Sequence, residues 1–94
     1  MSTLLIYSKV FYFWVIVMYN CQRIRDLRED FELNQTQVGR SLGIDQRTYS
    51  NYETGKLRFP IDHLIKLALL FNTSIDYLVG LTDDPSPYSR KRTK

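Results

Sequence analysis

Four polar side chains between positions 46 and 51 are of the kinds that can recognise the edges of nucleic-acid bases. Their spacing places them together on the outer face of a short helix. The four residues are Gln46, Arg47, Ser50 and Asn51. Glutamine, arginine and asparagine can each form paired hydrogen bonds to an adenine or guanine edge. A polar helix face is usually only solvated, but lysine and glutamate, the common solubilising residues, are scarce on this one. The pattern therefore favours base recognition over a merely solvated surface.

The helix that would carry these side chains is preceded by a second short helix and a tight turn. Asn34 is a favourable N-cap, and Gln37 can return a hydrogen bond to the Asn34 amide, as in a capping box. The first helix is predicted to end just before Gly43, because glycine adopts a left-handed conformation at little cost. Asp45 then caps the second helix, and Gly55 ends it.

The apolar residues of these two helices fall on one inward stripe. They are Val38, Leu42, Ile44, Tyr49 and Tyr52. Gly39 lies where a crossing helix needs room. The spacing therefore predicts a helical hairpin that packs through this stripe and leaves the face at 46–51 outward.

Three further helices are predicted around this pair. One spans about residues 21–31 and another spans residues 61–71. A short last helix is capped by Ser74 and stopped by Gly80. The residues predicted to face the core are Ile24, Leu27 and Phe31 in the first helix, Ile61, Leu64, Ile65, Ala68 and Phe71 in the second, and Ile75, Tyr77 and Leu78 in the last. His63 has no second ligand or nucleophile placed near it by spacing, so it is interpreted as a surface residue.

Several sequence blocks in the region 23–82 resemble, in order and with matching spacing, the helix-turn-helix family of phage repressor and Cro-type (XRE-like) regulators. The blocks are Arg-Ile-Arg-Asp-Leu-Arg, Leu-Asn-Gln, Ser-Leu-Gly-Ile, Tyr-Glu-Thr-Gly-Lys and Asp-Tyr-Leu-Val-Gly-Leu-Thr-Asp. The resemblance implies an all-α fold, a compact five-helix repressor-like DNA-binding domain with a helix-turn-helix. It also implies sequence-specific binding of double-stranded DNA by a small transcriptional regulator. This regulator is expected to be a repressor that reads the major groove with the helix at about 46–53.

The resemblance also assigns roles to individual residues. The base-reading residues are Gln46, Arg47 and Asn51, with Ser50 as a weaker candidate. A second set is expected to contact DNA phosphates and consists of Gln35, Thr54, Lys56 and Arg58. Gln35 lies at the start of the first helix of the motif, where backbone amides also favour a phosphate.

Two more residues matter for the position of the base-reading helix. In resembling proteins, the arginine that matches Arg28 pairs with the glutamate that matches Glu53. This ion pair would tie the first helix of the domain to the end of the base-reading helix. Tyr49 departs from the family pattern, which usually has a smaller aliphatic residue there. We therefore expect the packing beneath this helix to differ.

The placement of charge, rather than its total, must account for any affinity for DNA. The formal net charge is +3, yet residues 21–89 carry eight Lys or Arg and ten Asp or Glu. The remaining positive charges lie at Lys9 and in the last five residues. A slightly acidic domain predicts modest affinity for one copy and favours a homodimer, with its reading helices on half-sites about 34–36 Å apart. By resemblance alone, the last helix is the expected dimer surface.

The chain begins with an apolar segment that does not fit the rest of the sequence. Residues 10–19 are continuously apolar. Even residues 4–19 are shorter than the roughly twenty that cross a bilayer, and the segment lacks the basic start and cleavage site of a signal peptide. We interpret residues 1–17 as an extension upstream of a true start at Met18. A membrane or partner-binding anchor is the alternative.

The predicted organisation is an apolar extension at 1–17, a helix-turn-helix domain at 18–82 and a flexible basic tail at 83–94. Two prolines and the lack of apolar periodicity predict disorder in the tail. Its basic end either contacts phosphate or aids solubility. The single cysteine, Cys21, cannot form an internal disulfide and favours a reducing, cytoplasmic location.

No residue pattern indicates an enzyme. The sequence has no Cys–His pair, metal-ligand cluster, phosphate-cradling glycine loop or carboxylate pair, so no catalytic residue, metal or cofactor is expected. Two other functions stay open. The same fold can act as a protein-interaction module, for example antitoxin-like, with Gln46, Arg47 and Asn51 covered by another chain. A membrane-tethered regulator would depend on residues 1–17, and a membrane partner is otherwise not expected.

Overall fold

Five helices and no strand make up residues 22–91, the part of the chain that the computed structural model describes. The helices are α1 (Gln22–Asp30), α2 (Gln35–Leu42), α3 (Gln46–Glu53), α4 (Ile61–Leu70) and α5 (Ile75–Leu78). The predicted all-α, five-helix fold is confirmed. The apolar extension at 1–17 lies outside the described residues. Within the described part, no helix is long and apolar enough to cross a membrane.

The helix starts lie where side-chain caps were predicted. The Asn34 side chain accepts a hydrogen bond from the Gln37 amide, and the Gln37 side chain accepts one from the Asn34 amide, each at 2.8 Å. Asp45 accepts from the Thr48 amide at 2.7 Å, and Ser74 accepts from the Tyr77 amide at 3.0 Å. These bonds satisfy amides that have no partner inside the helix. The starts of α2, α3 and α5 are therefore set locally by sequence.

The α2–α3 turn depends on two glycines. Gly43 follows α2 in the left-handed region at φ 75°. Gly39 faces α3 so closely that an added Cβ would lie 3.1 Å from the Ile44 carbonyl oxygen and 3.3 Å from that of Asp45. The room predicted for a crossing helix at Gly39 is confirmed. The short turn and this close approach fix the angle at which α3 leaves α2.

A single apolar core holds the helices together. Its buried residues are Ile24, Val38, Leu42, Tyr49, Leu67, Ala68, Phe71 and Leu78. Three members of the stripe predicted for α2 and α3 are therefore fully buried, while Ile44 and Tyr52 are half-buried. Residues from α1, α4 and α5 complete the core around the helix pair. The outer face of α3 is left at the surface.

Predictions for the inward faces of α1 and α4 need correction. Ile61 and Ile65 were expected inside but are 59% and 45% exposed, while Leu67 is fully buried. The reason is that α4 is apolar on more than one face, so periodicity alone could not choose the inward one. Phe31 is 48% exposed because α1 ends one residue earlier, although its ring still contacts the ring of Phe71 edge-on at 5.1 Å.

His63 is not simply a surface residue. Its ring packs edge-on against Tyr52, with ring centroids 5.6 Å apart, and the residue is half-buried. Its Nδ1 atom is buried and has no hydrogen-bond partner within residues 22–91. The physical reason is that Phe59 and Tyr52 stack beside the start of α4, at 5.0 Å between centroids, and cover that side of the helix.

Residues 83–91, which belong to the predicted flexible tail, make contacts with the domain. This segment contains no helix or strand, but its residues form hydrogen bonds with the domain. The Tyr88 hydroxyl donates to the Asp76 carboxylate at 2.7 Å, and the Thr73 hydroxyl donates to the Pro85 carbonyl at 2.6 Å. Absence of apolar periodicity did not reveal these polar contacts. They hold the segment along α5.

Candidate nucleic-acid interface

The outer face of α3 lies at the surface, as the residue pattern predicts. Gln46 and Arg47, in the first turn of α3, are exposed, and Ser50 and Asn51, one turn later, are half-exposed. Within the described residues, the side chains of Arg47 and Asn51 make no hydrogen bond. The face therefore presents the Arg47 guanidinium and the Asn51 amide, whose donors and acceptors are available to a partner.

Gln46 differs from Arg47 because it is held by a neighbour. Its side-chain amide donates a hydrogen bond to the Gln35 side-chain oxygen at 2.6 Å. Gln35, in the first turn of α2, in turn donates to the Glu53 carboxylate at 3.3 Å. A base-reading candidate and a phosphate-contact candidate are thus joined directly. The bond orients the Gln46 amide, and its carbonyl oxygen has no hydrogen-bond partner among the described residues.

Arg28 and Glu53 form a two-bond ion pair between α1 and the end of α3. Arg28 Nε and Nη2 each donate to one oxygen of the Glu53 carboxylate at 2.9 Å. Arg28 Nη1 also donates to the Leu33 carbonyl at 2.9 Å. The two side chains are only 11% and 3% exposed. Such a planar, two-bond arrangement fixes the relative position of the helices that carry it.

The pair controls the charge state of both partners. The hydrogen bonds to Glu53 raise the pKa of Arg28 further above its ordinary value. Burial opposes the charged form of Glu53, but the combined effect of Arg28, Tyr49 and Gln35 outweighs it and lowers the pKa of that carboxyl. Glu53 is therefore a carboxylate at neutral pH. This negative charge is neutralised by Arg28 and does not repel a phosphate as a free carboxylate would.

Tyr49 lies beneath the outer face and fills the space between α3 and the core. It is fully buried, and its ring meets that of Phe59 edge-on at 6.2 Å. Its hydroxyl has no hydrogen-bond partner within residues 22–91. Burial, together with the nearby negative charge of Glu53, raises the pKa of Tyr49. Tyr49 therefore stays a neutral phenol beneath α3, close to the charged Arg28–Glu53 pair.

The candidates for phosphate contact lie on both sides of α3. Gln35 lies at the start of α2, whose first amides point outward from the helix end. Lys56 and Arg58 are exposed in the loop that follows α3. Thr54 is exposed as well, but its hydroxyl donates to the Ser50 carbonyl at 2.9 Å. We call these flanking candidates and the outer face of α3 together the α3 surface (Gln35, Gln46, Arg47, Ser50, Asn51, Thr54, Lys56 and Arg58).

Comparison with known proteins identifies this arrangement. Residues 24–78, more than half of the chain, match the family model described as helix-turn-helix. The chain belongs to this family. Its predicted resemblance to phage repressor and Cro-type regulators is thereby confirmed, and α2 and α3 are the two helices of the motif.

The helix-turn-helix chain is similar to several bacterial and phage regulators. It is 43% identical over 75 residues to the uncharacterized HTH-type transcriptional regulator YobD of Bacillus subtilis (strain 168). The matched region is 79% of this chain and 67% of that protein. It is 37% identical over 58 residues to the cryptic phage CTXphi transcriptional repressor RstR of Vibrio cholerae, covering 62% of this chain and 52% of that one. It is 34% identical over 59 residues to the HTH-type transcriptional regulator ImmR of Bacillus subtilis (strain 168), covering 63% and 46%.

The chain spans between about half and two thirds of the length of these relatives. No solved structure matches it significantly. The family is one of DNA-binding transcriptional regulators, which are generally not enzymes. Among the described residues, no group of three or more His, Cys, Asp or Glu is arranged to hold a metal ion.

One residue that positions the helix-turn-helix domain was missed at the sequence level. Arg23 Nη1 donates to the carbonyls of Tyr77 at 2.9 Å and Thr82 at 2.7 Å, and Nη2 reaches the Asp83 carboxylate at 3.1 Å. The Arg23 guanidinium also lies 4.2 Å from the centre of the Tyr77 ring. These partners are more than fifty positions away in sequence, so helical periodicity gave no signal for them. The contacts close the domain by joining α1 to the end of α5.

Proposed function

We propose that this protein represses transcription by binding a specific double-stranded DNA sequence, with α3 lying in the major groove. The observation that carries the proposal is the outer face of α3. It is at the surface and bears Gln46, Arg47, Ser50 and Asn51, side chains whose donors and acceptors match those of base edges. The repressor assignment is supported by the similarity to a relative that is named a transcriptional repressor.

In this proposal, Arg47 reads a guanine through two hydrogen bonds, and Gln46 and Asn51 read adenines. Gln46 has an advantage over a free glutamine, since its bond to Gln35 already orients the amide before DNA arrives. Less rotational freedom is then lost on binding. Ser50, which is half-exposed, contributes a weaker hydroxyl contact.

The flanking residues hold the register of α3 on the duplex. Gln35 and the first amides of α2 contact one phosphate, and Thr54, Lys56 and Arg58 contact the other side of the groove. These contacts carry no sequence information directly, but they account for the salt dependence of binding. The ion pair between Arg28 and Glu53 keeps α3 at a fixed angle to the rest of the domain. Two copies of the chain bind as a homodimer on an operator with two half-sites.

The test is selection of bound sequences from a random pool of double-stranded DNA with the full chain. We expect an enriched inverted repeat. The matched control is a triple variant, Gln46→Ala, Arg47→Ala and Asn51→Ala, whose thermal melting is compared with that of the original protein. It should lose the enrichment while it keeps its fold.

Equal binding to all sequences by the original chain, with strong salt dependence, would contradict base reading. A protein captured on α3 in place of DNA would support an interaction module instead.

The direction of regulation needs a separate measurement. A reporter gene is placed behind the selected sequence, so that the protein competes with the transcription machinery for that site. We expect lower reporter output when the protein is present, and the triple variant should restore the output. Increased output would contradict the repressor assignment but not the DNA-binding assignment.

A further inference from the structure

Helix α4 carries an apolar stripe that the domain does not cover. Ile61, Ile65 and Leu69 are 59%, 45% and 57% exposed. Their four-residue spacing places them one above the other along one side of the helix. The same helix buries Leu67 and Ala68 in the core. The stripe is therefore a second apolar face, separate from the one that holds the fold together.

The surroundings of this stripe are different on its two sides. On one side, a groove of about 300 Å³ runs between α4, α5 and the tail, and it is lined by Ile65 and Leu69 of the stripe itself and by the charged residues Asp76 and Arg90. On the other side, Asp62 and Lys66 are exposed one turn apart. A contiguous apolar stripe with a polar border is the usual composition of a protein–protein contact.

The charges beside the stripe indicate which partner fits. When two copies of one helix pack antiparallel, the same flank of each helix faces the same flank of the other. Asp62 of one copy then lies opposite the partner's Lys66, and the reverse pair forms on the other side of the two-fold axis. In a parallel arrangement this flank would face the opposite flank of the partner helix, so Asp62 and the partner's Lys66 would not pair. The stripe is also centred on Ile65, so it can pack against itself.

We propose that the α4 face, made of Ile61, Asp62, Ile65, Lys66 and Leu69, binds a second copy of this chain across a two-fold axis. The two α4 helices run antiparallel, with stripe against stripe and Asp62 paired with the partner's Lys66. The proposal deepens the proposed function, on which it rests for the use of a homodimer, by naming the dimer surface. It moves that surface from the last helix, the position expected by resemblance, to the neighbouring helix.

The first test measures self-association of the full chain without DNA by sedimentation velocity over a range of concentrations. We expect a reversible monomer–dimer equilibrium. Ile65→Glu should weaken the dimer by about a hundredfold, because each of the two copies would then place a negative charge at the centre of the apolar contact. The matched control is Leu57→Glu, since Leu57 is 46% exposed and lies in the loop after α3, outside the residues of the α4 face. It should leave the equilibrium unchanged.

The second test asks whether the contact is antiparallel and self-complementary. Asp62→Lys alone and Lys66→Asp alone each create two like-charge contacts, and each should weaken the dimer by about tenfold. The double variant with both substitutions exchanges the charges and should restore the original affinity. These surface positions leave the core unchanged, which circular dichroism melting verifies. The rescue distinguishes lost pairing from lost folding.

Three results would overturn the proposal. They are a monomer at every concentration, a dimer that is insensitive to Ile65→Glu, and single charge variants that behave like the original chain. None of them depends on DNA, so failure of the dimer surface leaves the DNA-selection experiment intact. Conversely, a chain that dimerises through the α4 face but shows no sequence preference would contradict only the base-reading proposal.

Discussion

At the scale of the residue, the base-reading candidates on the α3 surface differ in whether their side chains are already hydrogen-bonded to the domain. Gln46 is oriented by Gln35, whereas Arg47 makes no hydrogen bond within the described residues. An amide that is already hydrogen-bonded favours one geometry of contact, whereas a long exposed guanidinium without a partner can adopt several. We therefore expect Gln46 to contribute a fixed contact and Arg47 to form its contact only on the DNA.

Arg47 gives the sharpest residue-scale prediction. Arg47→Ala should weaken binding to the selected operator by about 1–3 kcal/mol and relax the preference at one base pair, because a two-bond contact to guanine is lost. The measurement is a binding titration on the operator and on its single-base variants at fixed salt. Arg25→Ala is the matched control, because Arg25 has the same charge but is paired with Glu29 on α1. An equal loss on all base variants would mean that Arg47 contacts only phosphate.

At the scale of the element, the Arg28–Glu53 pair between α1 and α3 makes the stability of the fold depend on pH. The pKa of Glu53 is lowered in the folded protein, so the folded state favours the charged form. Its contribution to stability is therefore complete at pH values above the ordinary value of 4.5 and is lost as the pH falls through the lowered value. Asp45, whose pKa is lowered by its hydrogen bonds with Thr48, acts in the same direction.

Glu53→Gln should consequently change both the level and the pH dependence of stability. At neutral pH we expect a loss of about 2 kcal/mol, because Arg28 is left mostly buried without its charged partner. As the pH is lowered below 4.5, the variant should lose less additional stability than the original chain, since it lacks the Glu53 carboxyl whose protonation destabilises the fold. Melting temperatures measured across the acid range would show this as a flatter profile. Parallel profiles for the two proteins would contradict the assignment.

Gly39 sets the distance between α2 and α3. Gly39→Ala should change the free energy of unfolding by less than about 1 kcal/mol, since the helix propensity gained offsets the tight approach of the added Cβ to the Ile44 and Asp45 carbonyls. Gly39→Val adds two further methyl groups at the same place and should cost about 2–3 kcal/mol. Urea denaturation would measure both variants. Equal stability of all three proteins would show that α3 can move away without cost.

The sequence predicted those features of the elements that are determined locally. The capping residues Asn34, Asp45 and Ser74 were placed correctly because a cap depends on a few neighbouring positions. The inward face of α4 was predicted only in part. Ala68 and Phe71 are buried as expected, but Ile61 and Ile65 are exposed, because they are as apolar as the buried Leu67 and only the packed domain chooses between them. The contacts of Arg23 with residues 77–83 are long-range, so no local pattern could have revealed them.

At the scale of the whole molecule, the near balance of charges in residues 21–89 limits what one copy can do on DNA. Phosphate contacts from a few side chains give modest, salt-dependent affinity. We therefore expect specific binding to need two copies, so that the contacts of both α3 helices add. The α4 face proposed as the dimer contact shares no residue with the α3 surface.

This arrangement predicts a strict dependence on the spacing of the half-sites. In a rigid dimer the two α3 helices enter successive major grooves on one side of the duplex, about one helical turn apart. Insertion of about five base pairs between the half-sites turns one of them to the opposite side, so the affinity should fall to that of a single half-site. Ile65→Glu, which removes the dimer contact, should bind both operators equally weakly. Gel-shift titrations with both DNAs and both proteins would measure this, and an original chain that tolerates the insertion would show that its two copies bind independently.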